Sequence, residues 1–107
     1  MTNAKPVIVI GPTQPVVFSI YRITFGNYVY IGHTQDIHNR AARHAKDTRR
    51  IVGQMFLEVD EPMIVIHIDA ADTKGEAMVI EQAYIKREFS LVGDRLLNTH
   101  HARPKKK

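Results

Sequence analysis

The sequence predicts a fold of short strands and helices mixed along one chain, α/β in class, and three features predict it. A Gly26-Asn27 pair sits between two runs that alternate apolar and polar residues, the mark of a tight hairpin. After Asp36, apolar residues recur in steps of four, as one face of a helix requires. Farther on, Thr73 with Glu76 three residues later has the pattern of a capping box, opening a longer helix.

Taken in order, Val7 to Ile10 reads as a short buried strand, and GPTQP as a loop punctuated by glycine and two prolines. Val16 to Thr24 and Tyr28 to Gly32 read as strands joined by a two-residue type II′ turn, with Gly26 supplying the positive φ. That turn sets the register. Phe25 then faces Tyr28, Ile23 faces Tyr30 and Tyr21 faces Gly32, all on one side of the sheet because side chains alternate with period two. Gly32 has no side chain, so the Tyr21 ring, or a ligand, can approach the backbone there.

Asp36 caps a helix from Ile37 to Lys46, on which Ile37, Ala41 and Ala45 form the apolar stripe while Arg40 and His44 share a neighbouring face. Thr48 to Glu58 reads as a second short helix interrupted by Gly53, and Pro62 to Asp69 as another buried strand. The helix opened by Thr73 runs to about Phe89. On it Glu81 falls between Ala77 and Ile85, in a sector that also holds Met78 and Tyr84. A carboxylate in an apolar stripe needs a partner or a cation, because burying an unpaired charge is costly. Leu96-Leu97-Asn98 reads as a docked turn before the tail.

At 107 residues the chain has the size of a single domain, and its 44% apolar and 24% charged residues place it with globular proteins rather than disordered ones. With no cysteine, disulfides and thiolate zinc sites are excluded. The longest apolar runs, VIVI and MIVIHI, are strand-sized, and MTNAKPVIVI lacks the make-up of a signal peptide, so the expectation is a cytoplasmic protein with no membrane partner. The net charge of +4 leans towards a polyanionic partner. Arg40, Arg43, Lys46, Arg49 and Arg50 stand against Asp47 alone, and the tail RPKKK forms a second basic cluster.

Singly, these residues have plain readings. Tyr21 and Tyr30 on a strand are by default packing residues, Arg40 a solvated helix residue, and His44 a half-buried polar group. The six histidines, His33, His38, His44, His67, His100 and His101, show no zinc-ligand spacing. There is no P-loop, no GxGxxG and no GxSxG.

As an ordered set they say more. SIY at Ser19 to Tyr21, YIG at Tyr30 to Gly32, Arg40 and His44 in NRAARH, Glu81 in IEQAYIKRE and Asn98 in LLN together resemble the GIY-YIG nuclease superfamily, over roughly Val17 to Asn98. Ser19 stands where the family name carries glycine, and the interval between the tyrosines is shorter by about two residues than in many members, an even difference that preserves face parity. The resemblance implies a small three-stranded, mainly antiparallel sheet flanked by helices, with residues 1–15 as an N-terminal extension carrying an extra strand and 99–107 as a basic tail.

It also implies roles. Glu81 would hold one Mg²⁺ or Mn²⁺, Arg40 would bind the scissile phosphate, and Tyr21 or His44 would serve as the base for the attacking water, assisted by Tyr30. Tyrosine, ordinarily near 10, is a weak base at neutral pH, whereas histidine lies near 6.5. Gly32, Arg43, Lys46 and Asn98 are the further candidates beside the substrate, Asn98 as a tie between the C-terminal turn and the site. The implied activity is metal-dependent, one-metal hydrolysis of DNA as an endonuclease. The alternative is a nucleic-acid-binding module of the same fold without turnover. Recognition would rest on phosphate contacts and DNA shape unless a second copy or an accessory protein supplies it.

Overall fold

A computed structural model of the chain describes residues 8–13 and 15–100. Val7, the tail cluster RPKKK and His101 lie outside these residues. The elements run β1 (Ile8–Ile10), β2 (Phe18–Phe25), β3 (Tyr28–Thr34), α1 (Ile37–Lys46), α2 (Ile51–Glu58), β4 (Met63–Ala71) and α3 (Lys74–Val92), followed by two short 3-10 turns, Gly93–Arg95 and Leu97–Thr99.

The strands form one sheet in the order β1-β4-β2-β3, with β2 antiparallel to both neighbours and β1 parallel to β4. The predicted three-stranded unit with an added N-terminal strand is therefore a four-stranded sheet with β1 and β3 at its edges. At the hairpin, Gly26 has φ 56° and no non-glycine residue among those described has positive φ, as a type II′ turn requires. The pairs Phe25–Tyr28, Ile23–Tyr30 and Tyr21–Gly32 form as the turn dictates.

Helices cover both faces. Tyr21, Ile23, Phe25, Met63 and Val65 pack against Ile37 and Ala41 of α1 and Val52, Met55 and Phe56 of α2. On the other face Ile20, Val29, Ile31 and Ala71 meet Ala77, Ile80, Tyr84 and Ile85 of α3. No helix is long and apolar enough to cross a membrane among the described residues.

The caps explain where the helices begin and end. The Asp36 side chain accepts from Asn39 N at 3.0 Å, and Thr73 Oγ1 accepts from Glu76 N at 3.1 Å. The long helix runs three residues past Phe89 and stops where Gly93 takes φ 58°.

Gly53 does not interrupt α2. A Cβ there would run into the backbone carbonyl carbon and oxygen of Asp47, so the glycine permits close approach of α2 to the end of α1 rather than breaking the helix. A helix-breaking reading treats glycine only as flexible, while here its missing side chain is a packing feature.

Alternation along β4 also fails at one point. The register with β2 shifts between Tyr21–His67 and Ile20–Asp69, a bulge that brings Asp69 to the α3 side, where its Oδ2 accepts from Tyr84 Oη at 3.1 Å.

Candidate active site

Gly32 is the pivot of the site. A Cβ on it would overlap the tip of the Tyr21 ring, so the glycine lets Tyr21 lie against the backbone of the edge strand β3. Tyr30, two residues back on the same face, places its ring centroid 6.5 Å from that of Tyr21 and 5.1 Å from that of His44. From α1, His44 reaches the same group, with its Nε2 2.8 Å from the Tyr21 hydroxyl.

Successive residues of β3 face opposite sides, so His33 points towards α3. There it donates Nδ1–H to Glu81 Oε1 at 2.5 Å. Glu81 is thus part-buried and paired, and the partner its apolar surroundings demanded is His33 in this structure. Two layers meet at the edge strand: Tyr21, Tyr30 and Arg40 from the α1 side, His33 and Glu81 from the α3 side. One cleft of about 500 Å³ joins them, lined also by Gly32, Thr34, Gln35, Phe18, Lys74 and Met78.

Burial sets the protonation states. It pushes the Tyr21 hydroxyl far above the ordinary phenol range, with the neighbouring Tyr30 adding to the effect and Arg40 opposing it. Tyr30 is raised by burial and by the Glu81 charge. His44 is lowered to about 4, first by burial and then by the guanidiniums of Arg40, Arg50 and Arg43. At neutral pH the imidazole is therefore uncharged. Pairing the stronger donor with the stronger acceptor has Tyr21 O–H donating to His44 Nε2.

The remaining candidates separate by position. Arg43 lies beyond Tyr30 in a neighbouring hollow with Arg40 and Arg50, while Lys46 lines a groove with Asn39, Arg43 and Arg49 on the outer side of α1. Asn98 has both ends of its amide engaged: Oδ1 accepts from Ile31 N at 2.8 Å and Nδ2 donates to Ile31 O at 2.7 Å. It therefore ties the C-terminal turn to β3, with one N–H of Nδ2 outside these two bonds.

Residues 15–91 match the family described as the GIY-YIG catalytic domain. The chain belongs to the GIY-YIG family. That span takes in Tyr21, Tyr30, Arg40, His44 and Glu81, whereas β1 and Asn98 fall outside it. Comparison with curated proteins found no match, and comparison with solved structures found none either. The family is one of nucleases.

His33, Lys74 and Arg50 are the residues of this GIY-YIG domain whose positions sequence reasoning missed. His33 had a signal: it follows Gly32 directly, so on a strand it must face the layer opposite Tyr21, the layer that holds Glu81. Lys74 had none, since only the approach of α3 to β3 brings it to the cleft.

The donor set bears on a metal. Among the described residues no three His, Asp or Glu side chains come together as a cage. A cation here would be held by the Glu81 carboxylate, whose Oε1 alone is taken by His33, with water and phosphate oxygens completing its shell. That sparse, hard-oxygen environment fits Mg²⁺ or Mn²⁺.

Proposed function

We propose that this chain is a divalent-metal-dependent endonuclease that hydrolyses DNA phosphodiester bonds by a one-metal mechanism. The observation that carries the reading is the single cleft in which Tyr21, Tyr30 and Arg40 face Glu81 across the edge strand. Arg40 binds the scissile phosphate, and its guanidinium offsets charge that grows on the non-bridging oxygens as water attacks.

The buried Tyr21 is not a ready phenolate, so it acts through His44. As the water oxygen bonds to phosphorus, the water's proton passes to Tyr21 Oη while the proton of Tyr21 moves to His44 Nε2, along the 2.8 Å contact. The bond from phosphorus to O3′ breaks, and O3′ takes a proton from solvent. A phosphate against Arg40 also offsets one of the charges that hold His44 down, making the imidazole a better acceptor in the complex. Glu81 would hold the cation, which when bound polarises the phosphate and stabilises the departing O3′. His33 orients the Glu81 carboxylate through its Nδ1–H, and Tyr30 supports the Tyr21–His44 pair.

The test incubates the purified protein with supercoiled plasmid and with branched DNA, in Mg²⁺ or in EDTA, beside Arg40→Ala and Glu81→Ala. Cutting that needs Mg²⁺ and is lost in both variants is expected. Metal-dependent cutting that survives both substitutions would reject this site, and binding without cutting of any substrate would favour the non-catalytic binding module.

A further inference from the structure

Tyr30 and Arg40 have a second side. Beyond them from the catalytic cleft lies a hollow of about 130 Å³, lined by Tyr30, Arg40, Arg43, His44, Asp47 and Arg50. Tyr30 and Arg40 therefore belong to both cavities, and a strand lying across Tyr30 would pass from one to the other.

The close approach of α2 to α1, which Gly53 permits, creates this hollow. It sets Arg50, at the start of α2, beside the last turns of α1, where Arg43 and His44 sit. The charges there are not equivalent. Arg49 embraces Asp47, with Nε 3.0 Å from Oδ1 and Nη2 3.3 Å from Oδ2, and its hydrogen bonds hold that carboxyl below the usual carboxylate range. Arg50 makes a looser contact of 3.6 Å to the same carboxylate. Among the described residues neither Arg40 nor Arg43 forms an ion pair. With Asp47 offset by Arg49, the hollow keeps an excess of guanidinium charge. His44 registers it, since after burial the three arginines are what lowers the imidazole.

We propose that Arg43 and Arg50 form a second phosphate subsite, which holds the backbone phosphate adjacent to the scissile one, with Arg40 standing between the two. The inference rests on the endonuclease reading for the identity of the first phosphate. Its chemistry is that of guanidinium forks on phosphodiester oxygens, which position a strand without reading its bases. The basic stretch is thereby divided in two, since Arg43 and Arg50 grip the strand whereas Arg49 neutralises Asp47.

The experiment compares the full chain with Arg43→Ala/Arg50→Ala and with a charge-matched double variant on the exposed side of α3, Lys86→Ala/Arg87→Ala. DNA binding is measured by fluorescence anisotropy in EDTA across a salt series, and hydrolysis is measured in Mg²⁺ on DNA and on bis(p-nitrophenyl) phosphate, a diester with no neighbouring phosphate. The subsite variant is expected to lower the slope of log K against log salt by about 0.9 for each duplex phosphate that the protein no longer neutralises. It should raise KM for DNA and not KM for the single-phosphate diester, while the loss of two cations beside His44 alters kcat on both substrates alike, and the α3 variant should keep the full slope. An unchanged slope in the subsite variant, an equal fall in both variants, or an equal rise in KM on both substrates would overturn the proposal. Circular dichroism melts confirm that each variant is folded. The outcomes also separate the two readings: if the wild type binds DNA but cuts nothing, a lowered slope still supports the subsite, whereas cutting with an unchanged slope rejects the subsite alone.

Discussion

His44 makes the folded protein sensitive to acid in a way that can be worked out. The residue is 7% exposed, and its imidazole accepts from Tyr21 and is faced by Arg40, Arg43, Arg50, Asp47 and Tyr30. In the unfolded chain it would titrate near 6.5, in the folded one at about 4. Between those values the unfolded state binds more protons, so stability rises with pH across the window and is lost as pH falls through it. At about 1.4 kcal/mol per pH unit the loss at pH 4 amounts to ~3 kcal/mol, with little further change from this group below that pH. Carboxylates titrate in the same range, and the comparison with His44→Gln removes their share, since glutamine can still accept from Tyr21 but cannot take up a proton. Urea unfolding at pH 7 and pH 4 should show the wild type losing ~3 kcal/mol more than the variant, a midpoint displacement on the order of 1–3 M. Equal losses in the two proteins would refute a buried, neutral His44.

Gly53→Ala sets two effects against each other: helix propensity favours alanine by about 1 kcal/mol, while its Cβ would press on the Asp47 carbonyl. Thermal melts should show net destabilisation of ~1–3 kcal/mol, and a gain in Tm would contradict the close approach of the two helices. Gly32→Ala puts a methyl group where the Tyr21 ring lies, so the protein should lose DNA cleavage together with ~1–3 kcal/mol of stability, and cleavage at the wild-type rate would show that Tyr21 can move without consequence. Asn98→Ala removes both hydrogen bonds to Ile31 and should cost roughly 2 kcal/mol in urea unfolding, at about 1 kcal/mol per bond. A variant as stable as the wild type would show that the turn is held by Leu96 and Leu97 alone.

How much of this could be read from sequence follows from the range of the forces involved. The β2–β3 register was legible because a two-residue turn fixes it locally, and with it the pairing of Tyr21 with Gly32. The α1 cap and stripe were legible for the same reason. The side of the sheet from which each helix approaches is a tertiary fact, and so the meeting of Glu81 with Tyr21 across an edge strand, one from each layer, could not be read from periodicity. His33 was passed over because histidine was weighed as a metal ligand by spacing and not by the face its strand position assigns. Gly53 was misread because a glycine says nothing about what its missing Cβ makes room for. Asp69 could not be placed, since a bulge leaves no clear mark in an apolar run such as MIVIHID.

The bond between Asn98 and Ile31 has a consequence beyond holding a turn in place. β3 is an outer strand of the sheet, and an unpaired outer strand offers its backbone N–H and C=O groups to any other extended chain, including another copy of the same protein. Asn98 occupies both groups of Ile31, and Leu96 bridges in parallel to Val29 just before it. A short stretch of irregular backbone thus stands in for a fifth strand. The edge that carries Tyr30, Gly32 and His33 stays open to a ligand through its side chains, while its backbone at Val29 and Ile31 is closed to strand-by-strand association.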